Sequence, residues 1–223
     1  MGKLIIIEGL DGCGKSTQTA LLEKYLDDKS ISFKKIKLPD YDSPSSTLVN
    51  MYLGGEFGSN VNDVNAYAAS AFYAVDRFAS FKLKWKKEYD NGELILADRY
   101  ATSNLIYQME KIPADCWDEY IEWSEDFEYE KIGVPRPDAV IFLDMPVEVS
   151  QRLMTQRYCG DENKKDVHEA NVEFLNGCRR SALYAAKKQG WYVVECSDGE
   201  NPLPIEKIHS NIVSIVEKEL SNA

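Results

Sequence analysis

The sequence predicts an α/β fold with parallel strand pairing, and three observations carry that prediction. Residues 3–17, KLIIIEGLDGCGKST, run from a short apolar stretch rich in β-branched residues, through three glycines in six positions, into a helical period. That is the pattern of a buried strand, a tight loop and a helix. Four further short strand-like runs, at 33–38, 93–97, 139–143 and 191–195, alternate with stretches of helical period. Strands separated by helices pair in parallel, because the intervening helix supplies the crossover that a parallel pair requires. A chain of 223 residues is long enough for one well-packed α/β unit, and no repeat, low-complexity tract or linker interrupts it, so residues 1–223 are read as a single domain.

The helix after the first strand starts at Ser16 and Thr17 and is carried on by Ala20, Leu21, Leu22, Tyr25 and Leu26. Residues 33–38 alternate apolar side chains with lysine and end at Pro39; 40–46 is turn chemistry, and 47–53 reads as a short helix stopped by Gly54 and Gly55. Val64, Tyr67, Ala68, Ala71, Phe72, Val75, Phe78, Ala79 and Leu83 recur three and four residues apart, so 62–89 is expected to form one long amphipathic helix closed by Asn91 and Gly92. Tyr73 and Arg77 lie one turn apart at the border of that stripe. They are either an aromatic ring packed beside a surface arginine or a pair at the wall of a cleft.

The strand at 93–97 ends in Asp98, Arg99 and Tyr100. In open α/β sheets ligands bind outside the carboxyl ends of strands, so these residues form either a strand-end ion pair or part of a site. A short helix at 102–109 sets Asn104 and Tyr107 on one face. Residues 114–130 read as an acidic helix whose aromatics, Trp117, Tyr120, Trp123 and Phe127, face the core or another subunit while its acids face solvent. After the 139–143 strand a helix starts at Pro146 and runs to about Tyr158, carrying Arg152 and Arg157. Residues 159–165 are a polar loop, 172–188 are helical, and an amphipathic helix spans 205–220 beyond the last strand.

Composition narrows the class. Hydrophobic content of 44% and charged content of 28% are those of a soluble globular chain. The apolar runs are too short to cross a membrane and the first lacks a cleavage signature, so a cytoplasmic setting is expected. Five cysteines (Cys13, Cys116, Cys159, Cys178 and Cys196), with no C-x-x-C pair and two histidines, argue against a zinc site or a disulfide framework. A net charge of −11 argues against a nucleic acid partner. It leaves room for a small anion gripped by a few cations gathered in one cleft.

Gly9, Leu10, Asp11, Gly12, Cys13, Gly14, Lys15 and Ser16, followed by Thr17, fit the phosphate-cradling pattern G-x-x-x-x-G-K-[ST] in its required strand, loop and helix setting. Glycines let backbone N–H groups turn inward around an anion, and the following helix aims its positive dipole end at the same point. Lys15 adds a charge for the β- and γ-phosphates and Ser16 a ligand for their Mg²⁺. Cys13, inside this loop at a helix start, is in a setting that favours the thiolate.

With this loop, the helix bearing Phe72-Tyr73-Ala74-Val75-Asp76-Arg77, the strand end Asp98-Arg99-Tyr100-Ala101-Thr102-Ser103-Asn104, and Pro135-Arg136-Pro137-Asp138 leading into IFLDMP, the chain resembles the thymidylate kinases nearly end to end, in order and spacing. The resemblance implies a P-loop NTPase fold of the nucleoside-monophosphate-kinase kind, with a parallel sheet of about five strands and helices on both faces. It implies transfer of the γ-phosphoryl group of ATP, with Mg²⁺, to dTMP, giving dTDP, and a homodimer formed through helices that include 62–89. Catalysis would rest on Lys15, Asp11, Asp98, Arg99 and Arg157. Residues 9–17 with Arg157 would hold ATP, and Ser16 with Asp98 the metal. Asp11 would lie near the sugar and phosphate of the acceptor, Asp98 and Arg99 at its phosphate, Tyr73 and Arg77 at its base, and Ser103, Asn104 and Tyr107 along base and sugar. Residues 157–169 would form a lid.

Two departures from the family pattern stand out. The loop after the second strand reads Leu38-Pro39-Asp40-Tyr41-Asp42 where members carry an arginine for the acceptor phosphate, and Val167 stands where many lids carry another. The lid cations are then Arg157, Lys164 or Lys165. Rival readings are a deoxynucleoside kinase, a monophosphate kinase with another acceptor and, from a different class, a P-loop switch protein or motor ATPase. A catalytically idle nucleotide-binding subunit would be expected to lose Lys15 or Arg99, and both are present.

Overall fold

The structure, a computed structural model, describes residues 1–157 and 171–221, with 156 and 157 as backbone. In chain order it contains β1 (Leu4–Gly9), α1 (Lys15–Asp28), β2 (Phe33–Lys37), α2 (Thr47–Leu53), α3 (Ala66–Ser80), α4 (Lys86–Asp90), β3 (Leu94–Asp98), α5 (Thr102–Tyr107), α6 (Trp117–Glu125), β4 (Ala139–Asp144), α7 (Val147–Arg157), α8 (Val172–Gln189), β5 (Tyr192–Glu195) and α9 (Ile205–Ser221). The strands form one sheet in the order β2-β3-β1-β4-β5, every pair parallel.

Position in the sheet explains composition. β1 and β3, covered on both faces, are buried at every residue and read as apolar runs broken only by Glu8 and by the terminal Asp98, whereas the outer strand β2 can carry three lysines in five residues. Alternate side chains of β1 serve two cores. Ile5 and Ile7 pack with Leu22 and Leu26 of α1 and Ile208, Ile212 and Val216 of α9. Leu4 and Ile6 pack on the other face with Phe81, Trp85 and Tyr89. The sheet therefore has helices on both faces.

Two helical stretches differ from the sequence reading. The expected 62–89 helix begins at Ala66, because the side chain of Asn65 accepts from the Ala68 N–H at 2.9 Å and caps it. It then passes through a π-helical segment, Phe81–Trp85, into α4. The expected stripe is also not the core face: Tyr67, Val75, Phe78 and Leu83 are exposed, Leu83 by 80%, while Ala66, Ala69, Ser70, Ala74 and Arg77 are buried. The acidic 114–130 helix is α6 followed by a second π-helical segment, Asp126–Ile132, closed by Gly133 at φ 77°. The wider turn carries one acid, Glu128, into the interior, where it is 1% exposed. Its acids are thus not all a solvated face.

What the fold delivers is adjacency. The register pairs Ile7 with Asp98, so the loop leaving β1 and the turn leaving β3 lie side by side at the carboxyl edge of the sheet.

Candidate active site

The loop after β1 depends on its glycines. Gly12 and Gly14 have φ of 79° and 94°, and a Cβ on Gly12 would stand 2.8 Å from the Ser150 carbonyl oxygen. No side chain caps α1, which leaves its first-turn N–H groups to an anion. Lys15 is nearly buried; its Nζ donates to the carbonyls of Gly9 at 2.7 Å and Leu10 at 3.0 Å and lies 3.8 Å from Asp11 Oδ1. Leu10 and Cys13 send their side chains into apolar cores, so what they offer the site is backbone. The thiolate expected at Cys13 is overturned: the side chain is 2% exposed, and burial pushes the thiol up despite the nearby Lys15.

Beside this loop lies a cleft lined by Gly12, Gly14, Lys15, Ser16, Lys37, Asp98 and Arg99 among others. Asp98 is 9% exposed, and its Oδ1 is buried with no hydrogen-bond partner. An orphaned carboxylate oxygen and a serine hydroxyl are hard donors that suit Mg²⁺ shared with phosphate oxygens. Among the described residues no three His, Cys, Asp or Glu side chains gather for a metal. Thr17 is exposed and lines neither this cleft nor the next.

Arg99 joins the two clefts. Its backbone is left-handed, φ 69°, and is anchored by its N–H on the Ile7 carbonyl at 3.2 Å. Its Nη2 donates to Asp11 Oδ1 at 2.6 Å and to the Tyr107 hydroxyl at 3.1 Å, and the Tyr107 hydroxyl in turn reaches Asp11 Oδ2 at 3.2 Å. Burial pushes the Asp11 carboxyl up, yet Arg99 and Lys15 outweigh it and hold the group well below the usual carboxylate range.

The second cleft is lined by Asp11, Leu38, Tyr41, Tyr73, Arg77, Arg99, Ser103, Asn104, Tyr107 and Gln108, with Leu53 and Tyr100 among the rest. It thus gathers Tyr73, Arg77, Asn104 and Tyr107 from α3 and α5. Arg77 is not at a solvent border. It is 2% exposed, with Nε and Nη2 donating to Glu128 at 3.0 and 2.6 Å, and its guanidinium lies 5.5 Å from the Tyr100 ring centre. Asn104 donates its Nδ2 to the same carboxylate at 3.2 Å. The Ser103 hydroxyl donates beneath the cleft floor to both oxygens of Glu8, at 2.9 Å each, where Thr102 Oγ1 and the Tyr100 N–H also donate. Burial raises the pKa of Glu8, opposed by Arg99 and these hydrogen bonds.

Four residues of this site escaped the sequence reading. Glu8 is a lone acid in an apolar strand, a signal that could have been weighed. Asp76, 1% exposed, accepts from the Asp40 N–H at 2.8 Å and from Ser45 Oγ at 2.6 Å, tying the loop after β2 to α3. Gln108 is 1% exposed with an unpartnered Oε1, and Glu128 is turned inward by a helical irregularity that no periodicity announces. Arg157 ends α7; the remainder of the expected lid, with Lys164, Lys165 and Val167, lies outside the described residues.

A parallel sheet carrying a glycine-rich phosphate loop, with a second cleft sharing Asp11 and Arg99, defines a P-loop protein built to bring an anionic group up to a bound nucleoside phosphate. The family model for thymidylate kinase matches residues 7–212, and the chain belongs to that family of ATP-dependent phosphotransferases. It is similar to the thymidylate kinase of Fervidobacterium nodosum, 29% identical with 95% of this chain and 96% of the relative covered, and to a probable thymidylate kinase of Thermococcus gammatolerans, 28% identical over 99% and 98%. The solved thymidylate kinase of Candida albicans shares the fold, with a TM-score of 0.74 and 23% identity, covering 100% of this chain and 94% of that one.

Proposed function

We propose that the chain transfers the γ-phosphoryl group of ATP to dTMP. The observation that carries this reading is the shared wall: Asp11 and Arg99 line both the phosphate-loop cleft and the cleft of Tyr73, Arg77 and Asn104. An acceptor phosphate lying against Arg99 would then face the γ-phosphate over Lys15. Phosphoryl transfer needs in-line positioning and cations around the migrating charge more than it needs covalent chemistry.

In this reading Lys15 leaves the loop carbonyls for phosphate oxygens, Asp11 holds Arg99 in its working pose, and Asp98 with Ser16 would hold Mg²⁺, whose charge would offset that of the phosphates. Tyr73 flanks the base. Arg77 brings only donors, suited to the O4 carbonyl of thymine and unsuited to the amino group of cytosine. Asn104 and the unpartnered Gln108 Oε1 are acceptors for the thymine N3–H, and Tyr107 crowds a ribose 2′ position. Tyr41 stands in the acceptor loop where an arginine is absent, which concentrates the phosphate grip on Arg99. Arg157 adds a cation on the ATP side, and the whole chain acts as one domain.

The exposed line Tyr67, Val75, Phe78 and Leu83 on α3 and the segment after it supports a homodimer, testable by molar mass in solution. A cytoplasmic setting fits a nucleotide kinase; among the described residues no helix is long and apolar enough to cross a membrane. The deciding experiment is ADP release from MgATP, measured against thymidine, dTMP, dUMP, dCMP, dGMP and UMP. Highest kcat/KM for dTMP is expected. Preference for thymidine, dCMP or a purine would reject the acceptor assignment.

A further inference from the structure

We propose that Glu128, which lines neither cleft, sets base specificity by fixing the direction in which Arg77 and Asn104 present their polar atoms. This rests on the reading of the second cleft as the site of a pyrimidine. The carboxylate sits in the π-helical segment Asp126–Ile132, is 1% exposed, and accepts three hydrogen bonds: Arg77 Nε on Oε2 at 3.0 Å, and Arg77 Nη2 and Asn104 Nδ2 on Oε1 at 2.6 and 3.2 Å.

Each bond removes a choice. With Nε and Nη2 engaged side-on, the Nη1 edge is the donor that Arg77 can offer the cleft it lines. An amide has two nearly isosteric orientations, and only its partners decide between them. Turning Asn104 over would set Oδ1 against Glu128 Oε1, acceptor against acceptor, so the observed orientation leaves Oδ1 as the group offered outward. A donor from Arg77 and an acceptor from Asn104 match the O4 and N3–H of thymine. Cytosine presents the reverse at both positions. Without the carboxylate, the amide could turn over and the guanidinium could swing, and the pocket could then satisfy either base. Glu128 is therefore a positioning residue: it touches no substrate, and the base reads its presence through two other side chains.

The test is Glu128→Gln, with Glu128→Asp beside it, in the full-length enzyme. Glu128→Gln replaces one acceptor oxygen by a donor and is expected to lower the dTMP-to-dCMP ratio of kcat/KM by about tenfold or more, since rejection by mispaired buried polar groups is what is lost. KM for dTMP should rise while kcat at saturation and KM for ATP change less than about threefold, because the loss falls on acceptor binding rather than on the transferring phosphoryl group. In an Arg77→Ala background Glu128→Gln should move the ratio little further, as coupled residues are not additive. Glu128→Asp keeps both acceptors on a shorter arm and should shift the ratio in the same direction by less; if Glu128→Gln does not melt cooperatively, this variant carries the test. An unchanged ratio in a folded variant, or equal loss of kcat for every acceptor, would overturn the inference. A wild-type enzyme that does not favour dTMP over dCMP would bring down the acceptor assignment first, and this inference with it.

Discussion

The two clefts are built in different ways, although they share a wall. The phosphate-loop cleft is made from three short chain segments, 11–16, 37–41 and 98–99, and much of its chemistry is backbone: glycine conformations, helix-end N–H groups and two carbonyls holding Lys15. The second cleft takes side chains from the β2 loop, α2, α3 and α5 and depends on buried acids, Asp76 in its wall and Glu8 and Glu128 behind it. A site made of backbone can lose a side chain and keep its shape, whereas a site made of paired buried charges cannot. Chemistry and stability should therefore separate on the first side and move together on the second.

The largest effect expected is on the phosphate side. Lys15→Ala and Arg99→Ala should each reduce kcat about a hundredfold to a thousandfold, since each removes a donor from developing charge, with Lys15→Ala leaving the melting temperature within a few degrees of wild type. Steady-state kinetics with a thermal melt checks both parts, and wild-type turnover in either variant would break the mechanism.

Arg77→Ala should behave in the opposite way. It leaves Glu128 buried without its ion-pair partner, a loss of about 3–5 kcal/mol, so denaturant unfolding should show a large fall in stability together with a collapsed thymine-to-cytosine preference. If Arg77→Ala is as stable as Lys15→Ala, the contrast between the clefts fails.

A smaller effect sharpens the picture at the base. Gln108→Ala removes one acceptor from a pocket that keeps Asn104, so kcat/KM for dTMP should fall about tenfold through KM.

The smallest effect is on pH. Burial raises the folded-state pKa of Glu8 above its ordinary 4.5, so the folded state binds more protons than the unfolded one in the window above 4.5, and the charged group costs stability as pH climbs through the raised value. Glu8→Gln should accordingly match wild type in melting temperature near pH 4.5 and gain on it by a few degrees at most toward neutral pH. A gain that is largest in acid would contradict the sign.

These contrasts also explain what could be read from the chain. The five strands and the loop at 9–17 were legible because their signals are local: a largely apolar run for β1 and β3, glycines at fixed spacing, a lysine and a hydroxyl at the helix start. Tyr73, Arg77, Asn104 and Tyr107 could be singled out by helical spacing and by resemblance, but their partners could not. Glu128 looks like one acid among many in EDFEYE, and only the π-helical segment after α6 turns it inward. The stripe on α3 is legible as a stripe only, since periodicity reports that a face exists and not which face the sheet covers; small residues and an ion-paired arginine take the inner side. The thiol of Cys13 shows the same limit, because the side chain packs into a core and burial outweighs the pull of the nearby Lys15.

The backbone at Arg99 pulls in a direction of its own. At φ 69° its conformation is one that glycine adopts freely and that costs an L-residue with a side chain about 1–2 kcal/mol. Arg99→Gly should therefore be more stable than Arg99→Ala by about that amount, with kcat reduced alike in both. Among replacements for Arg99, a redesign guided only by thermal stability would thus be drawn towards glycine, at a position that lines both clefts. Any programme to stabilise this enzyme has to hold residue 99 fixed and look for its gains elsewhere.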